Sequence, residues 1–279
     1  MTPYRLHLTP ENRLRFSVVV LCLFFLGASA VLFLGSYSFD ELWVGERLAT
    51  SSTAHLFGVD SFGRDYLTRV ALGVLISIGV GLTVAMISLL IGTPVGVYSA
   101  VRGGWIDSST GRILEVFFAF PQILLALVLV TIVGSGLFTA LLVLTLVYIP
   151  IVVRFVRNVA MIEARKDYVL SAQLYGCSRF RQCFVHVMPN LWGSLLVLAS
   201  SVCAFAMIAE ATLSYLGLGA RPPVPSLGIL LTENQGFLST EPHLVLFPAV
   251  VLFLLVLSVN QVGDALIDKL DIKRDFVRG

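Results

Sequence analysis

Glu210 is the one acid that falls clearly inside an apolar run of this chain, in the stretch SVCAFAMIAEATLSY. A carboxyl group at mid-membrane depth costs roughly 2.5–3.5 kcal/mol on insertion scales, so it must face protein or water. Two roles fit it. It can line a pathway or outer gate, or it can be a buried hydrogen-bonder tying its helix to the Gly/Pro-rich loop that follows. Proton coupling needs further acids or histidines along the same path, and the sequence offers none. His7, His55, His186 and His243 are scattered, so no metal site follows from them. Cys22 and Cys203 lie in apolar runs, and Cys177 and Cys183 make no CxxC or His/Cys cluster. Buried or reduced thiols are expected rather than a disulfide framework or a zinc site. No Ser/His/Asp or Cys/His arrangement falls on one face, and the phosphate loop GxxxxGK followed by Ser or Thr is absent. The expectation is a chain with no catalytic residue, no metal and no cofactor of its own.

Two polar stretches remain. The first is DYVLSAQLYGCSRFRQCFVHVMPN, residues 167–190, basic and broken by one glycine between long aliphatic runs. Asp167 can cap a helix over 168–175, with Val169, Ala172 and Tyr175 on one stripe, and Gly176 stops it as a left-handed C-cap. Ser178 can cap a second helix to about Val187, with Phe180, Phe184 and Val187 as an apolar stripe, closed or kinked by Pro189. The pair can lie on the chain's own inner end or dock into a partner's groove. The second stretch is HLFGVDSFGRDYLTRV, residues 55–70. It reads as an interfacial helix capped by Asp60 and carrying Arg64, Asp65 and Arg69. Arg64 and Arg69 either contact a soluble protein or fix the helix at the membrane surface.

The elements that must position these groups are membrane helices. The chain is 57% hydrophobic and 13% charged over 279 residues, against about half and a quarter in ordinary soluble chains. Its net charge of +2 indicates no nucleic-acid-binding field. About 20 apolar residues span a bilayer as a helix. Six runs qualify: Phe16–Gly35, Leu72–Val101, Ile113–Val133, Leu137–Val153, Ser194–Leu213 and Leu244–Val262. The first is too long for a cleaved signal and lacks a small-residue cleavage site. With the N-terminus inside, 15 of the 19 Lys and Arg fall on inner segments and four on outer ones, so both termini are expected in the cytosol. Pro94, Pro121 and Pro150 fall within or near spans, where they kink helices for packing or for gating. No strand alternation and no internal duplication are evident, so an all-α integral membrane bundle is expected.

The inner loop 154–192 carries a resemblance. Ala172-x3-Gly176-x9-His186-x-Met188-Pro189 is similar to the "EAA loop" of permease subunits in ATP-binding-cassette importers, EAA-x3-G-x9-I-x-L-P. Ser171-Ala172-Gln173 stands where EAA would, and His186 and Met188 replace Ile and Leu. The dipeptide/oligopeptide branch, whose loops read GASxxRxxFxHVLPN, is closer. Residues 55–70, GGWIDSSTGRILEVFFAFPQILLAL (103–127), EATLSYLGLGARPPVPSLGILL (210–231) and NQVGDALIDKLD (260–271) resemble further motifs of that branch, in its order. The chain looks like the second, C-type, of its two paired permeases.

The resemblance implies a type I ABC importer permease fold with six spans in a bacterial inner membrane. It implies residues 1–70 as a cytosolic tail, first span and outer loop. Residues 71–263 form a five-helix core containing the coupling loop, and 264–279 a cytosolic tail. The implied partners are a homologous permease, two ATP-binding subunits carrying ATP and Mg, an extracytoplasmic solute-binding protein and the lipid bilayer. Tyr168, Ala172, Tyr175, Gly176, Ser178, Arg181, His186 and Pro189 are the implied ATPase-coupling residues. Arg179 and Arg181 either pair with acids of the ATPase or snorkel at headgroups. The implied cargo is di- or oligopeptides, with glutathione, nickel or a metal chelate as alternatives. A self-sufficient secondary transporter or channel is the rival class. It calls for midplane charges, broken-helix pairs or inverted repeats, and Glu210 alone leans that way.

Overall fold

A computed structural model describes the backbone of residues 10–276 and the side chains of residue 12 and of 14–267. The expected inner charges Arg5, Arg13, Lys269, Lys273, Arg274 and Arg278 lie outside the described side chains. The regular elements of the described chain are helices: α1 (Pro10–Leu34), α2 (Tyr66–Arg102), α3 (Gly104–Phe118), α4 (Gln122–Val133), α5 (Leu137–Glu163), α6 (Asp167–Leu174), α7 (Arg179–Arg181), α8 (Trp192–Tyr215), α9 (Leu227–Asn234) and α10 (His243–Phe276). Its one extended pairing is a bridge between Val59 and Asp65.

Five helices are long and apolar enough to cross a membrane, and a sixth span is a bent pair. The third run, read from sequence as one helix, is that pair: α3 and α4 meet at 81°. Pro121 is the cause. It supplies no N–H, and the residue before a proline avoids the helical region. α3 therefore ends at Phe118, and α4 restarts where Leu125 N donates to the Pro121 carbonyl at 3.0 Å. Twelve residues of α4 rise about 18 Å, too little to cross alone.

Other boundaries shift for equally local reasons. The expected interfacial helix does not exist as a separate element, because α2 starts at Tyr66 and runs 37 residues without a break. Pro94 and Pro150 stay inside α2 and α5. α10 continues through Phe276, so no break marks residue 264.

The core sits where α2 meets α5 and α8, with α10 behind α8. α1 lies on the outside against α10 and α2, tied by Ser17 Oγ donating to Gln261 Oε1 at 2.9 Å. It leaves Phe16, Leu23, Leu26, Phe33 and Leu34 uncovered. Lipid is as apolar as leucine, so helices in a membrane gain by close backbone approach at small residues. α2 is built that way. A Cβ on Gly81 would stand 2.7 Å from Met207 Cγ on α8. One on Gly92 would stand 2.7 Å from Val152 Cγ1, and one on Gly96 2.9 Å from the Val153 carbonyl oxygen, both on α5.

The Gly96 contact is with backbone atoms, which cannot rotate away. Gly96→Val should therefore overpack the α2–α5 seam by about 1–3 kcal/mol. A lowered thermal midpoint of the purified protein in detergent checks this. Gly79→Ala, with nothing within 4 Å of the new Cβ and a better helix former in place of glycine, should not lower the midpoint.

Candidate functional site

On the inner side, α5 ends at Glu163 and a tight turn leads into α6. Lys166, not Asp167, is its N-cap residue, and it caps without its side chain. Asp167 sits in the first turn, where its charge still favours the helix dipole. Val169 is buried and pins α6 to the bundle, Ala172 is half-buried, and Tyr175 faces out. The helix ends in a double bond pattern: Gly176 N donates to the Gln173 carbonyl and Cys177 N to the Ala172 carbonyl, both at 3.0 Å. That is the Schellman closure, and Gly176 holds the left-handed φ of +77° it needs. The Ala172-x3-Gly176 spacing thus has a physical reason. Ala172 supplies the carbonyl and Gly176 the left-handed corner.

Past the corner, Ser178 Oγ accepts from Arg181 N at 3.4 Å as expected of a cap. The second helix differs from expectation. After α7 the chain passes through a π-helical segment, Gln182–Val187, and a 3-10 turn, Met188–Leu191, straight into α8. Pro189 does not end the helix; it sits in the 3-10 turn, where the ladder absorbs its missing donor. The wide π turn also rotates the faces. Gln182, Cys183 and Val187 face inward, while Phe180 is exposed and stacks on Phe184 with ring centroids 4.5 Å apart. The expected Phe180–Phe184–Val187 stripe is therefore split between two sides.

The elbow is braced from within. The Tyr168 hydroxyl donates to Glu163 Oε1 at 2.7 Å and lies 3.2 Å from the His186 carbonyl. Burial, then the Glu163 carboxylate, pushes the Tyr168 phenol well above its ordinary range, so it stays a donor. Lys166 Nζ pairs with Glu163 at 2.7 Å. Asn190 Nδ2 donates to the His186 carbonyl, so His186 contributes here through its backbone. Gln182 Nε2 donates to the Cys177 carbonyl at 3.0 Å. Arg179 Nη1 reaches the Val101 carbonyl at the end of α2, 3.2 Å away. Arg179 is thus engaged with the chain itself, and Arg181 points outward among exposed residues. At the tip, Leu174 is 88% and Tyr175 91% exposed. Leu174 escaped the sequence reading because it lies off the Val169–Ala172 stripe.

On the outer side, the charged residues of 55–70 pair with one another and with Glu233 in two adjacent groups. Asp60 is not a helix cap. Its Oδ1 accepts from Phe62 N at 2.8 Å and Arg64 N at 3.0 Å, closing a turn. The N-cap of α2 is Asp65, whose Oδ2 accepts from Thr68 N at 2.9 Å and Thr68 Oγ1 at 2.7 Å, while Oδ1 meets His55 Nδ1 at 2.9 Å. Arg64 and Arg69 face inward, with 7% and 0% of their surface exposed. Arg64 Nε bonds Asp60 Oδ2 at 2.7 Å, and Arg69 Nη2 bonds Glu233 Oε2 of α9 at 2.8 Å. Both guanidiniums are turned into the fold rather than exposed on its outer surface. Their sequence neighbours Asp60 and Asp65 were the clue, and Glu233, 164 residues away, carried no signal. Beside them, Tyr66 donates to the Leu244 carbonyl and accepts from Asn234 Nδ2 at 3.3 Å.

Glu210 is fully buried at the outer end of α8. Ser214 Oγ donates to its Oε1 at 2.6 Å and accepts from Ala220 N at 3.0 Å, while Oε2 has no partner among the described residues. A further brace escaped the sequence: Arg157 on α5 grips Asp107 on α3 in a two-point pair at 2.6 and 2.8 Å, with Ser99 on α2 donating to the same carboxylate.

Residues 92–274 match the family described as binding-protein-dependent transport system inner membrane component. A dipeptide transport system permease protein of Alkalihalophilus pseudofirmus is 36% identical over 92% of this chain and 84% of that protein. The chain belongs to this permease family. A glutathione transport system permease of Pectobacterium atrosepticum is 38% identical over 80% of this chain and 74% of that protein. In fold, the permease is similar to the MetNI methionine ABC transporter solved in inward-facing conformations. The TM-score is 0.58 at 21% identity, covering 71% of this chain and 93% of that one. The fold is the type I ABC importer permease fold, and the chain is a permease subunit of an ATP-driven importer in a bacterial inner membrane. The rival reading as a self-sufficient transporter or channel ends here.

Removing one partner from a buried ion pair leaves an uncompensated charge and costs about 3–5 kcal/mol. Glu233→Gln should therefore lower the permease's thermal midpoint clearly. Adding Arg69→Met should restore part of the loss, since the orphaned guanidinium is gone. Denaturation curves of the single and double variants read this directly.

Proposed function

We propose that this permease pairs with a related permease and two ATP-binding subunits, and that it moves peptides handed over by an extracytoplasmic solute-binding protein. ATP and Mg are held by the ATP-binding subunits. The elbow at 164–192 enters a cleft of one of them. Closure of the ATPase pair on ATP drags the elbows together and rocks the bundles between inward-open and outward-open states. The observation that carries this is the pairing of a rigid corner with an uncovered apolar tip. Leu174 and Tyr175 stand almost wholly exposed at the end of a helix locked by a Schellman closure. Apolar and aromatic knobs of this kind are what protein contacts bury. In this reading Tyr168, Ala172, Gly176, Ser178 and Pro189 set the shape of the elbow, and Tyr175, with Arg181 beside it, touches the partner.

Peptides are the cargo this reading favours, from the dipeptide permease relative. Glutathione, itself a small peptide, is the second reading, from the Pectobacterium relative. We assign Glu210 to the tie between α8 and the loop at Ala220, since its carboxyl is wholly buried there. Arg64 and Arg69 serve binding-protein docking only indirectly, by fixing the outer loop against α9.

Gly176→Arg separates coupling from folding. A Cβ there meets nothing within 4 Å and the site is exposed, so its internal cost is set by the left-handed backbone, about 1–2 kcal/mol. The variant should insert normally yet fail to co-purify with its ATPase or to drive uptake. Gly176→Ala, which shares the strain without the bulk, should retain both. Undiminished uptake in the arginine variant would remove the elbow from the mechanism. Mass spectrometry of the ligand co-purifying with the binding protein should find peptides; a nickel or metal-chelate ligand would replace the cargo assignment.

A further inference from the structure

Between α3 and α5, on the inner half of the bundle, lies a half-open groove of about 410 Å³, with Glu115, Arg154 and Asn158 exposed along it. That is within the range of about 300–1,000 Å³ usual for small-molecule sites. Its polar lining is unusual for a membrane helix pair. Arg154, Arg157 and Asn158 come from α5, and Glu115 from α3, with Phe118 forming an apolar wall. The charges divide into two kinds. Arg157 is consumed by its two-point pair with Asp107 and contributes no net charge. Arg154 and Glu115 have no ion-pair partner among the described residues. Arg154 is held by stacking its guanidinium 4.7 Å over the Phe118 ring, which fixes its position while leaving its donors open. Gly111 keeps the α3 side clear: a Cβ there would stand 4.0 Å from Arg157 Nη2.

One free guanidinium, one free carboxylate, a carboxamide and an aromatic wall around one groove match a small zwitterion with an amide between its charges. We propose that this groove is a transient site for the main chain of a short peptide on the cytosolic half of the pathway. Arg154 takes the terminal carboxylate, Glu115 the terminal ammonium and Asn158 the peptide amide. The proposal rests on the peptide reading above and adds to it a contact between cargo and this chain.

The test uses the assembled transporter in nanodiscs, without nucleotide or binding protein, and radiolabelled dialanine as probe. Saturable binding is expected. Arg154→Gln and Glu115→Gln should each weaken it roughly tenfold, the loss of one charged hydrogen bond. Gly111→Leu, which fills the groove beside the Arg157–Asp107 pair, should abolish it. Capped probes make the assignment directional. N-acetyl-dialanine, lacking the ammonium, should respond to Arg154→Gln and ignore Glu115→Gln. Dialanine amide, lacking the carboxylate, should do the reverse. Co-purification with the ATP-binding subunits shows that each variant is assembled. Absence of saturable dialanine binding in the unaltered transporter, or equal binding in all variants, overturns the site. Binding-protein-dependent uptake of dialanine and trialanine is measured in parallel. Uptake without the binding pattern rejects the groove and leaves the peptide reading standing; no uptake of either rejects both.

Discussion

Hydrocarbon offers a polypeptide no hydrogen-bond partners, so each place where a membrane helix starts, stops or bends must be repaired by the protein itself. The irregular parts of this permease are those repairs. The end of α2 receives the Arg179 guanidinium at the Val101 carbonyl. Outside the bilayer, where water is also at hand, the end of α6 closes on its own glycine corner. Pro189 is accommodated by a π turn followed by a 3-10 turn rather than by a break. At the outer end, Ser214 bridges Glu210 to the backbone of Ala220, and Ser226 Oγ caps α9 by accepting from Ile229 N. The same constraint explains why the polar residues cluster. A charge that cannot reach water must find its opposite inside, as Arg69 does with Glu233 and Arg157 with Asp107.

These repairs also connect the elements. α2 is the keel, close to α5 through Gly92 and Gly96 and to α8 through Gly81. Asp107 accepts from Ser99 on α2 and Arg157 on α5, so α3 is braced against both at its inner end. Arg179 joins the second arm of the elbow to the same end of α2. The elbow is therefore attached by side chains to two spans, to α2 through Arg179 and to α5 through Tyr168 and Lys166 at Glu163, as well as by the chain. The outer loop is attached likewise to α2 through Asp60 and Arg69 at 3.5 Å and to α9 through Arg64 and Glu233 at 3.6 Å, while Tyr66, the first residue of α2, reaches the Leu244 carbonyl of α10. The α4 half of the bent span differs. It packs on α5 and leaves Leu124, Val128, Ile132 and Val133 bare, a face suited to lipid or to a second permease.

Much of this was legible from residues. Hydropathy located the spans, since twenty apolar residues have few alternatives to a membrane helix. The corner at Gly176 and the cap at Ser178 were readable because both motifs are local, written within four residues. The failures are instructive in the same terms. Pro121 was read as a kink inside a continuous span, because hydropathy is blind to direction and an 81° bend leaves composition unchanged. Asp60 and Asp65 are equally good caps in sequence, and the turn that Asp60 closes onto Arg64 decided between them. Arg64 and Arg69 looked like surface residues because their partner Glu233 lies across the fold. The Phe180 stripe failed because a π turn changes the residues per turn from the 3.6 on which such stripes are counted.

The elbow's continuity with α8 has a mechanical consequence. From Arg179 to Tyr215 the chain is helical for 37 residues, about 55 Å of rise, from the cytosolic corner to the tie at Glu210. A rod transmits displacement only if it does not fold at its weakest point, which is the π and 3-10 passage around Pro189. That passage is held on its inner side, where Gln182, Cys183, Val187 and Leu191 are buried, and across its turn by Asn190 and Tyr168 at the His186 carbonyl. Bending there would pull four buried side chains from the bundle at once. In the proposed coupling, motion imposed at Leu174 and Tyr175 is carried along α8 rather than absorbed beside the membrane surface. It arrives at the outer end through Ser214, on the loop that leads into α9. What the proposed coupling asks of the chain is a clamped helix between an exposed tip and a tied loop.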